Sequence, residues 1–414
     1  MNRPEQAVVL CGGLGTRLKP FTNHTPKPMV IIDKKPFLEF LLEKLSEEGI
    51  KKFVLLTGYL GEQIEEYFKD GSKWGWQIQY SKGPVDWDTA KRIWKSRNKL
   101  DESFLLMYSD NFTTINLNNL INFHKNINRP LTITLSRKNT GNIKVNSEGK
   151  IEQYDQFRSE PGLDYVDIGF MIAKRDSIFE FYDGANSSLS EIINIMVKHN
   201  LVNGYIHHDH YYSISDPERL SITKKYLSNS KIILLDRDGT INNRALKGEY
   251  ITTWEKFQWA PGIKEGLKEL STEGFQFIVI SNQAGIARGM VKQNDLDNIT
   301  NQMEKELLLD SIHILKTYVC PHHWKDDCIC RKPKPGLFYE ASQEFLFRLD
   351  KTIYIGDDSR DCQAAFNSGC KSIFIGNQKE LSELDQNEYP ISKHNDFKGS
   401  VPKILEYYKR RQGK

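Results

Sequence analysis

Apolar residues fall in short runs at regular intervals. Residues 6–11 (QAVVLC) are a continuous aliphatic run that breaks into glycines, the pattern of a buried strand. Residues 37–48 (FLEFLLEKLSEE) carry apolar positions at helical spacing and stop at Gly49. Residues 52–57 (KFVLLT) predict the next strand, running into Gly58. A helix over 62–69, a strand over 76–80 and a strand over 103–108 (SFLLMY) follow, the last ending at Ser109-Asp110. Shorter strands are predicted at 131–136, 143–145 and 165–173. Strands alternating with helices predict a parallel sheet with crossover connections.

The pattern restarts near residue 231. KIILLD (231–236) is again a buried strand entering a tight polar turn, Asp238-Gly239-Thr240. A helix over 262–270, a strand over 275–280 (FQFIVI), a helix near 294–309 and a strand over 352–355 follow. The polar stretch Ser228-Asn229-Ser230 separates the two series, so the expected domains are 1–228 and 229–414. The expected class is α/β, with two Rossmann-like three-layer α/β/α domains. The basic end, Lys409, Arg410, Arg411 and Lys414, reads as a solvated helix end.

Composition narrows the function. With 57 basic and 54 acidic residues the net charge is +3, which gives no basis for gripping nucleic acid by bulk charge. No run approaches the roughly 18 apolar residues of a membrane span, and the five-residue apolar run near the start is too short for a signal peptide. A cytoplasmic protein with small-molecule partners is expected. Six cysteines are sparse, and three fall between 320 and 330, a grouping that suggests a metal site in a reducing compartment.

The first candidate site follows the first strand. Residues 12–18 read Gly-Gly-Leu-Gly-Thr-Arg-Leu. The dinucleotide pattern fails because Leu18 stands where its third glycine would be, and no Gly-Lys-Ser/Thr follows for a Walker loop. Gly12, Gly13 and Gly15, with Thr16, can let backbone N–H groups approach phosphate oxygens. Arg17 and Lys27, the latter inside Pro26-Lys27-Pro28, can neutralise a triphosphate and a departing pyrophosphate. GGLGTRLKPFTNHTPKPM resembles the signature of the sugar-1-phosphate nucleotidyltransferases, as do Pro36–Leu42 and Gly58-Tyr59, over residues 1 to about 225. The resemblance implies attack of a sugar 1-phosphate on the α-phosphate of a nucleoside triphosphate, with Arg17 and Lys27 handling phosphate and Asp110 holding Mg²⁺. Three departures stand out. Ser109 replaces the family's glycine before the aspartate. Val85–Ala90 replaces its glycine-rich segment for base and sugar. Ser213–Glu218 replaces a segment whose first aspartate is a second metal ligand, for which Asp216, Asp209 or Asp167 could substitute. A domain that binds without turning over therefore stays open as an alternative. His207, His208, Asp209 and His210 could form a metal site or simply a polar strand edge.

The second candidate site is assembled from four segments. Asp236 and Asp238 lie two apart at a strand end, so one can attack phosphorus while the other donates a proton to the leaving oxygen. Ser281 and Asn282 end a second strand as phosphate hydrogen-bond donors, and Arg331, Lys332 and Lys334 supply cations. Asp357, Asp358 and Asp361 follow another apolar strand, where an acid can hold Mg²⁺. These segments, in this order, resemble the haloacid dehalogenase-like phosphatases. The resemblance implies Asp236 as nucleophile, Asp238 as acid and base, Mg²⁺ on Asp236, the Asp238 carbonyl and Asp357, and Ser281 with Lys332 (or Lys334) on the transferring phosphate.

Cys320, His322, Cys328 and Cys330 have the spacing of a closed Cys₃His zinc site, structural because no ligand position stays open. His323 is an alternative to His322, which the family pattern favours. The runs SNQAGIARG and CPHH…CICRKPKPG resemble D-glycero-D-manno-heptose 1,7-bisphosphate phosphatases and histidinol phosphatases. Fusion to a nucleotidyltransferase-like domain favours heptose, because heptose 1-phosphate is a nucleotidyltransferase type of substrate. GTP is the expected triphosphate, giving a GDP-heptose precursor for a surface polysaccharide.

Overall fold

The structure, a computed structural model, describes residues 3–246, 248–376 and 381–411. The chain divides into two compact units, Met1–Ser228 and Asn229–Lys414. Lys414 of the basic end lies outside the described residues. Lys409 and Arg410 belong to the helix Phe397–Arg411.

The first unit is built on a nine-stranded sheet. Strands Gln6–Cys11, Lys52–Thr57, Gln77–Lys82 and Ser103–Tyr108 run parallel, with Ala7 beside both Phe53 and Leu105. Helices Phe37–Glu47, Gly61–Phe68 and Thr89–Lys95 lie between them in sequence. Alternate residues of the first strand, Val8 and Leu10, pack with Ile93 and with Ile192 and Met196 of the helix Leu189–Lys198. The expected parallel sheet is a mixed one in the structure. Tyr165–Lys174 pairs antiparallel with both Ser103–Tyr108 and Leu131–Arg137. The connection from Arg137 to Tyr165 carries the hairpin Ile143–Val145 with Ile151–Tyr154 and no helix, so it cannot make the crossover that parallel pairing requires.

The second unit has a six-stranded sheet, parallel throughout. Ile232–Leu235 lies between Gln276–Asn282 and Ile353–Gly356. Its side chains alternate between two cores. Ile233 and Leu235 join the helices Ile263–Thr272, Gln293–Leu309 and Phe397–Arg411. Ile232 and Leu234 join Gly336–Phe345 and Ser359–Ser368. Helices on both faces make this unit three-layered. In both units the chain leaves the parallel strands at their C-terminal ends into the candidate sites, as is general for open α/β sheets.

Candidate active sites

In the second unit, Asp236 follows the central strand and is buried. Its backbone N–H donates to the Ile355 carbonyl at 2.8 Å, which fixes it beside the Ile353–Gly356 strand end. The Lys332 ammonium bonds directly to the Asp236 carboxylate. The same ammonium lies 2.8 Å from Asp361 Oδ1 and donates to Tyr354 Oη at 2.7 Å and to the Ile280 carbonyl at 3.1 Å. Asn282 clasps the Lys332 main chain both ways, Nδ2 to its carbonyl and its N–H to Oδ1, each at 3.1 Å. Asn282 thus aims the lysine, a role different from the expected phosphate donor.

Asp238 opens on the same cavity, of about 530 Å³. Burial opposes its ionisation. The Arg237 guanidinium (2.9 Å), Asn242 Nδ2 (3.0 Å) and Gln283 Nε2 (2.6 Å) outweigh burial and hold its carboxyl below the ordinary range. Gln283 also donates to Ser281 Oγ at 2.8 Å, leaving the serine O–H to point at a ligand. Arg244 pairs with Asp357 at 2.7 Å, and Arg360 grips Asp358 through Nε and Nη2.

Asp236, Asp357 and Asp361 bring one carboxylate oxygen each within 4.8 Å of one another. Burial pushes the carboxyl of Asp236 up to about 7 and that of Asp357 up to about 8, with the negative neighbours adding. Asp357 Oδ1 is buried without a hydrogen-bond partner among the described residues. Gly239 has a φ of +103°, and a Cβ there would fall 1.8 Å from Asp357 Oδ2. An oxygen-only set, short of positive charge and with one orphaned lone-pair donor, fits Mg²⁺. Asp361 spends Oδ2 on the backbone N–H groups of Asp357 (3.2 Å) and Asp358 (3.1 Å), and so shapes the turn that presents Asp357.

Two expected cations stand elsewhere. Arg331 reaches the His322 carbonyl at 3.4 Å, and Lys334 pairs with Asp327; neither lines the cavity. Sequence reasoning missed Gln283, Tyr354, Arg237 and Asn242. Gln283 is the next residue of the SNQ run, and Arg237 stands between the two aspartates.

Cys320, His322, Cys328 and Cys330 converge, their ligand atoms within 4.8 Å of one another. The sulfur separations, 3.7, 3.5 and 3.4 Å, are far from the roughly 2 Å of a disulfide. They approach the edge of a tetrahedron around Zn²⁺, about 3.8 Å for Zn–S bonds near 2.3 Å. His323 stands outside this group, its ring packed at a tilt of 33° against Trp324 with centroids 3.8 Å apart.

In the first unit a cavity of about 360 Å³ is lined by Gly12, Gly13, Gly15, Thr16, Arg17, Lys27 and Asp110, together with Trp87, Asp88, Arg92 and Ser215. Gly15 has φ +63°, and Thr22 Oγ1 donates to its carbonyl at 2.9 Å, fixing the turn. Lys27 bonds to Asp110 across the cavity. The three candidate second metal ligands are engaged outside it. Asp216 caps the helix Pro217–Leu227, accepting from Arg219 N at 2.9 Å. Asp209 accepts from Thr114 Oγ1 at 2.8 Å. Asp167 accepts from Gly169 N at 2.7 Å, and burial pushes its carboxyl up to about 7. His207 Nε2 lies 2.7 Å from Thr113 Oγ1, and no metal-ligand group forms around it among the described residues. Arg92, which the sequence did not single out, is buried and lines the cavity.

Both sites lie at the ends of parallel strands and collect phosphate-handling groups, which defines a chain of two phosphate-transfer domains. Residues 6–169 match the family model described as nucleotidyl transferase, and residues 231–400 match that of polynucleotide kinase 3 phosphatase. A D-glycero-beta-D-manno-heptose-1,7-bisphosphate 7-phosphatase of Helicobacter pylori is 33% identical over 156 residues, 37% of this chain and 88% of that protein. The alpha-anomer 7-phosphatase of Campylobacter jejuni is 34% identical, over 36% of this chain and 85% of that protein. A probable glucose-1-phosphate cytidylyltransferase of Bacillus subtilis is 30% identical over 240 residues, 52% of this chain and 93% of that protein. The chain belongs to the sugar-1-phosphate nucleotidyltransferases by its first unit and to the heptose bisphosphate phosphatases, which are haloacid dehalogenase-like, by its second.

Proposed function

We propose that this chain makes a nucleotide-activated heptose in two steps. The second unit removes the 7-phosphate of D-glycero-D-manno-heptose 1,7-bisphosphate. The first unit then joins heptose 1-phosphate to a nucleotidyl group, GMP from GTP. The observation that carries this reading is the union of a buried Asp236–Lys332–Asp361 site with a glycine-rich sugar-1-phosphate cavity in one chain. The product of one is the type of substrate the other takes.

Asp236 attacks phosphorus, and the bond from phosphorus to the C7 oxygen breaks as Asp238, which must first take up a proton against the pull of Arg237, Asn242 and Gln283, passes it to that oxygen. Water then attacks the aspartyl-phosphate while Asp238 takes its proton. Inorganic phosphate leaves and the Asp236 carboxylate is restored. Lys332 and the Ser281 hydroxyl hold the transferring phosphoryl group. Mg²⁺, on Asp236, Asp357 and the Asp238 carbonyl, would supply the positive charge that lets an anionic nucleophile approach an anionic phosphate. Zn²⁺, on Cys320, His322, Cys328 and Cys330, would clip the loop that leads into Lys332.

In the first unit a phosphate oxygen of heptose 1-phosphate attacks the α-phosphorus, the α–β bridge breaks and pyrophosphate departs. Backbone N–H groups at Gly12, Gly13 and Gly15 meet the phosphates, Arg17 and Lys27 take up charge, and Asp110 would hold Mg²⁺. The test is a coupled assay with heptose 1,7-bisphosphate and each of the four triphosphates. Phosphate, pyrophosphate and GDP-heptose are expected together. Equal phosphate release from histidinol phosphate would overturn the heptose step, and absence of pyrophosphate with every triphosphate would overturn the transfer step.

A further inference from the structure

Arg92 is buried, yet none of its hydrogen bonds goes to a carboxylate. Its five N–H positions point at main-chain carbonyls from three separate loops. Nε donates to Trp87 at 3.0 Å. Nη1 reaches Thr57 at 2.9 Å and Gly83 at 3.4 Å. Nη2 reaches Pro84 at 2.6 Å and Gly12 at 3.4 Å. These loops leave the ends of the strands Gln6–Cys11, Lys52–Thr57 and Gln77–Lys82, side by side in the sheet. Three glycines make room for the guanidinium. A Cβ at Gly12 would lie 2.5 Å from its central carbon, at Gly58 2.9 Å from both Nη atoms, and at Gly83 3.2 Å from Nη1. A buried guanidinium with every N–H spent on carbonyls is a rigid fastener rather than a surface charge.

The fastened segments are those a nucleotide must meet. Gly12 begins the phosphate turn, and Trp87 and Asp88 line the same cavity. Val85 and Thr89 of the same segment line it too. We propose that Arg92 is a positioning residue for nucleotide recognition: it ties the Gly12 turn to the 83–87 loop and so sets the base selectivity of transfer. This rests on nucleotidyl transfer by the first unit. Burial lowers the Arg92 pKa from its ordinary value, with the Asp86 and Asp88 carboxylates opposing; a guanidinium keeps its proton in proteins, so a positive charge also lines the cavity.

The experiment measures kcat/KM for pyrophosphate release with each of the four triphosphates, on the full chain, for wild type, R92M, R92K and G58A. The wild type is expected to favour one triphosphate by at least tenfold. R92M is expected to raise the KM for that triphosphate at least tenfold and to narrow the preference to within threefold. R92K, with three donors instead of five, should fall between. G58A, which crowds the guanidinium and the Gly12 carbonyl (2.6 Å) without altering Arg92, should narrow the preference too. Mere loss of folded protein lowers all four rates together and leaves their ratio intact. If R92M does not fold, R92K and G58A carry the test. A wild-type preference retained in every folded variant would overturn the positioning role. Absence of pyrophosphate in the wild type would overturn the transfer reading itself.

Discussion

The two sites handle phosphate by opposite means. The phosphatase site is dense in charge: Asp236 and Asp361 flank one ammonium with Asp357 close by, Asp236 and Asp357 following strand ends of a single parallel sheet and Asp361 lying in the first turn of the helix Ser359–Ser368. The nucleotidyltransferase cavity sets one cross-cavity pair, Lys27 with Asp110, among glycines, and its walls are held by main-chain carbonyls on Arg92. Side chains carry the chemistry in the first case and backbone placement in the second. A single substitution should therefore abolish one activity and only erode the other.

The largest expected effect is Asp236→Asn. Loss of the nucleophile should lower phosphate release by about 10⁴-fold or more, while pyrophosphate release from supplied heptose 1-phosphate stays within twofold. Concerted loss of both activities would contradict independent sites. Asp110→Asn is the mirror experiment. It keeps the side-chain shape but removes the charge facing Lys27, and should lower transfer by roughly 10²-fold without changing phosphate release. A larger loss than in Asp236→Asn would reverse the contrast between the sites.

Zinc comes next. The cysteine–histidine group precedes Lys332 by only two residues, so losing it should disturb the lysine before it disturbs the fold. Cys330→Ser should abolish bound zinc and reduce phosphatase kcat/KM by about 10- to 100-fold. A zinc-selective chelator in excess Mg²⁺ should do the same to the wild type. Full activity in zinc-free protein, with metal content measured by mass spectrometry, would show that the clip is dispensable.

The same contrast explains what could be read from sequence. Asp236, Asp238, Ser281 and Asp357 stand in contiguous runs that follow apolar strands, and with Lys332 of the CICRKPKPG run, which the resemblance singled out, they line one cavity. Strand limits were equally plain where runs were fully buried, as at Gln6–Cys11, or buried but for their ends, as at Ser103–Tyr108. Less legible was anything set by pairing partners far along the chain. The antiparallel return of Tyr165–Lys174 depends on a hairpin that has no strong apolar run. Arg92 drew no notice in the sequence, because its meaning lies in carbonyls 5 to 80 residues away. Arg331, Lys332 and Lys334 stand in one basic run, in which the resemblance favours Lys332; its ammonium meets Asp236 and Asp361, and Asn282 clasps its main chain.

The smallest expected effect separates the units by pH. The first unit holds two histidines neutral, of which His124 is buried and His207 half-buried. His124 Nδ1 lies 2.7 Å from Thr132 Oγ1, and burial, with Lys174 adding, lowers its pKa to about 4. Burial, with His208 and His210 adding, lowers His207 to about 3. An unfolded histidine titrates near 6.5. Below that pH the unfolded chain binds protons that the native unit does not, so stability falls as pH drops from about 6.5 towards 4. Each histidine contributes at most about 2 kcal/mol of loss between pH 7.5 and pH 5. His124→Asn should be less stable at pH 7.5, because a buried ring is trimmed, yet it should lose less on acidification. Urea unfolding read by pulsed hydrogen exchange in peptides spanning 117–136 measures this directly. An unchanged slope in His124→Asn would mean that His124 does not contribute to the acid lability of the first unit.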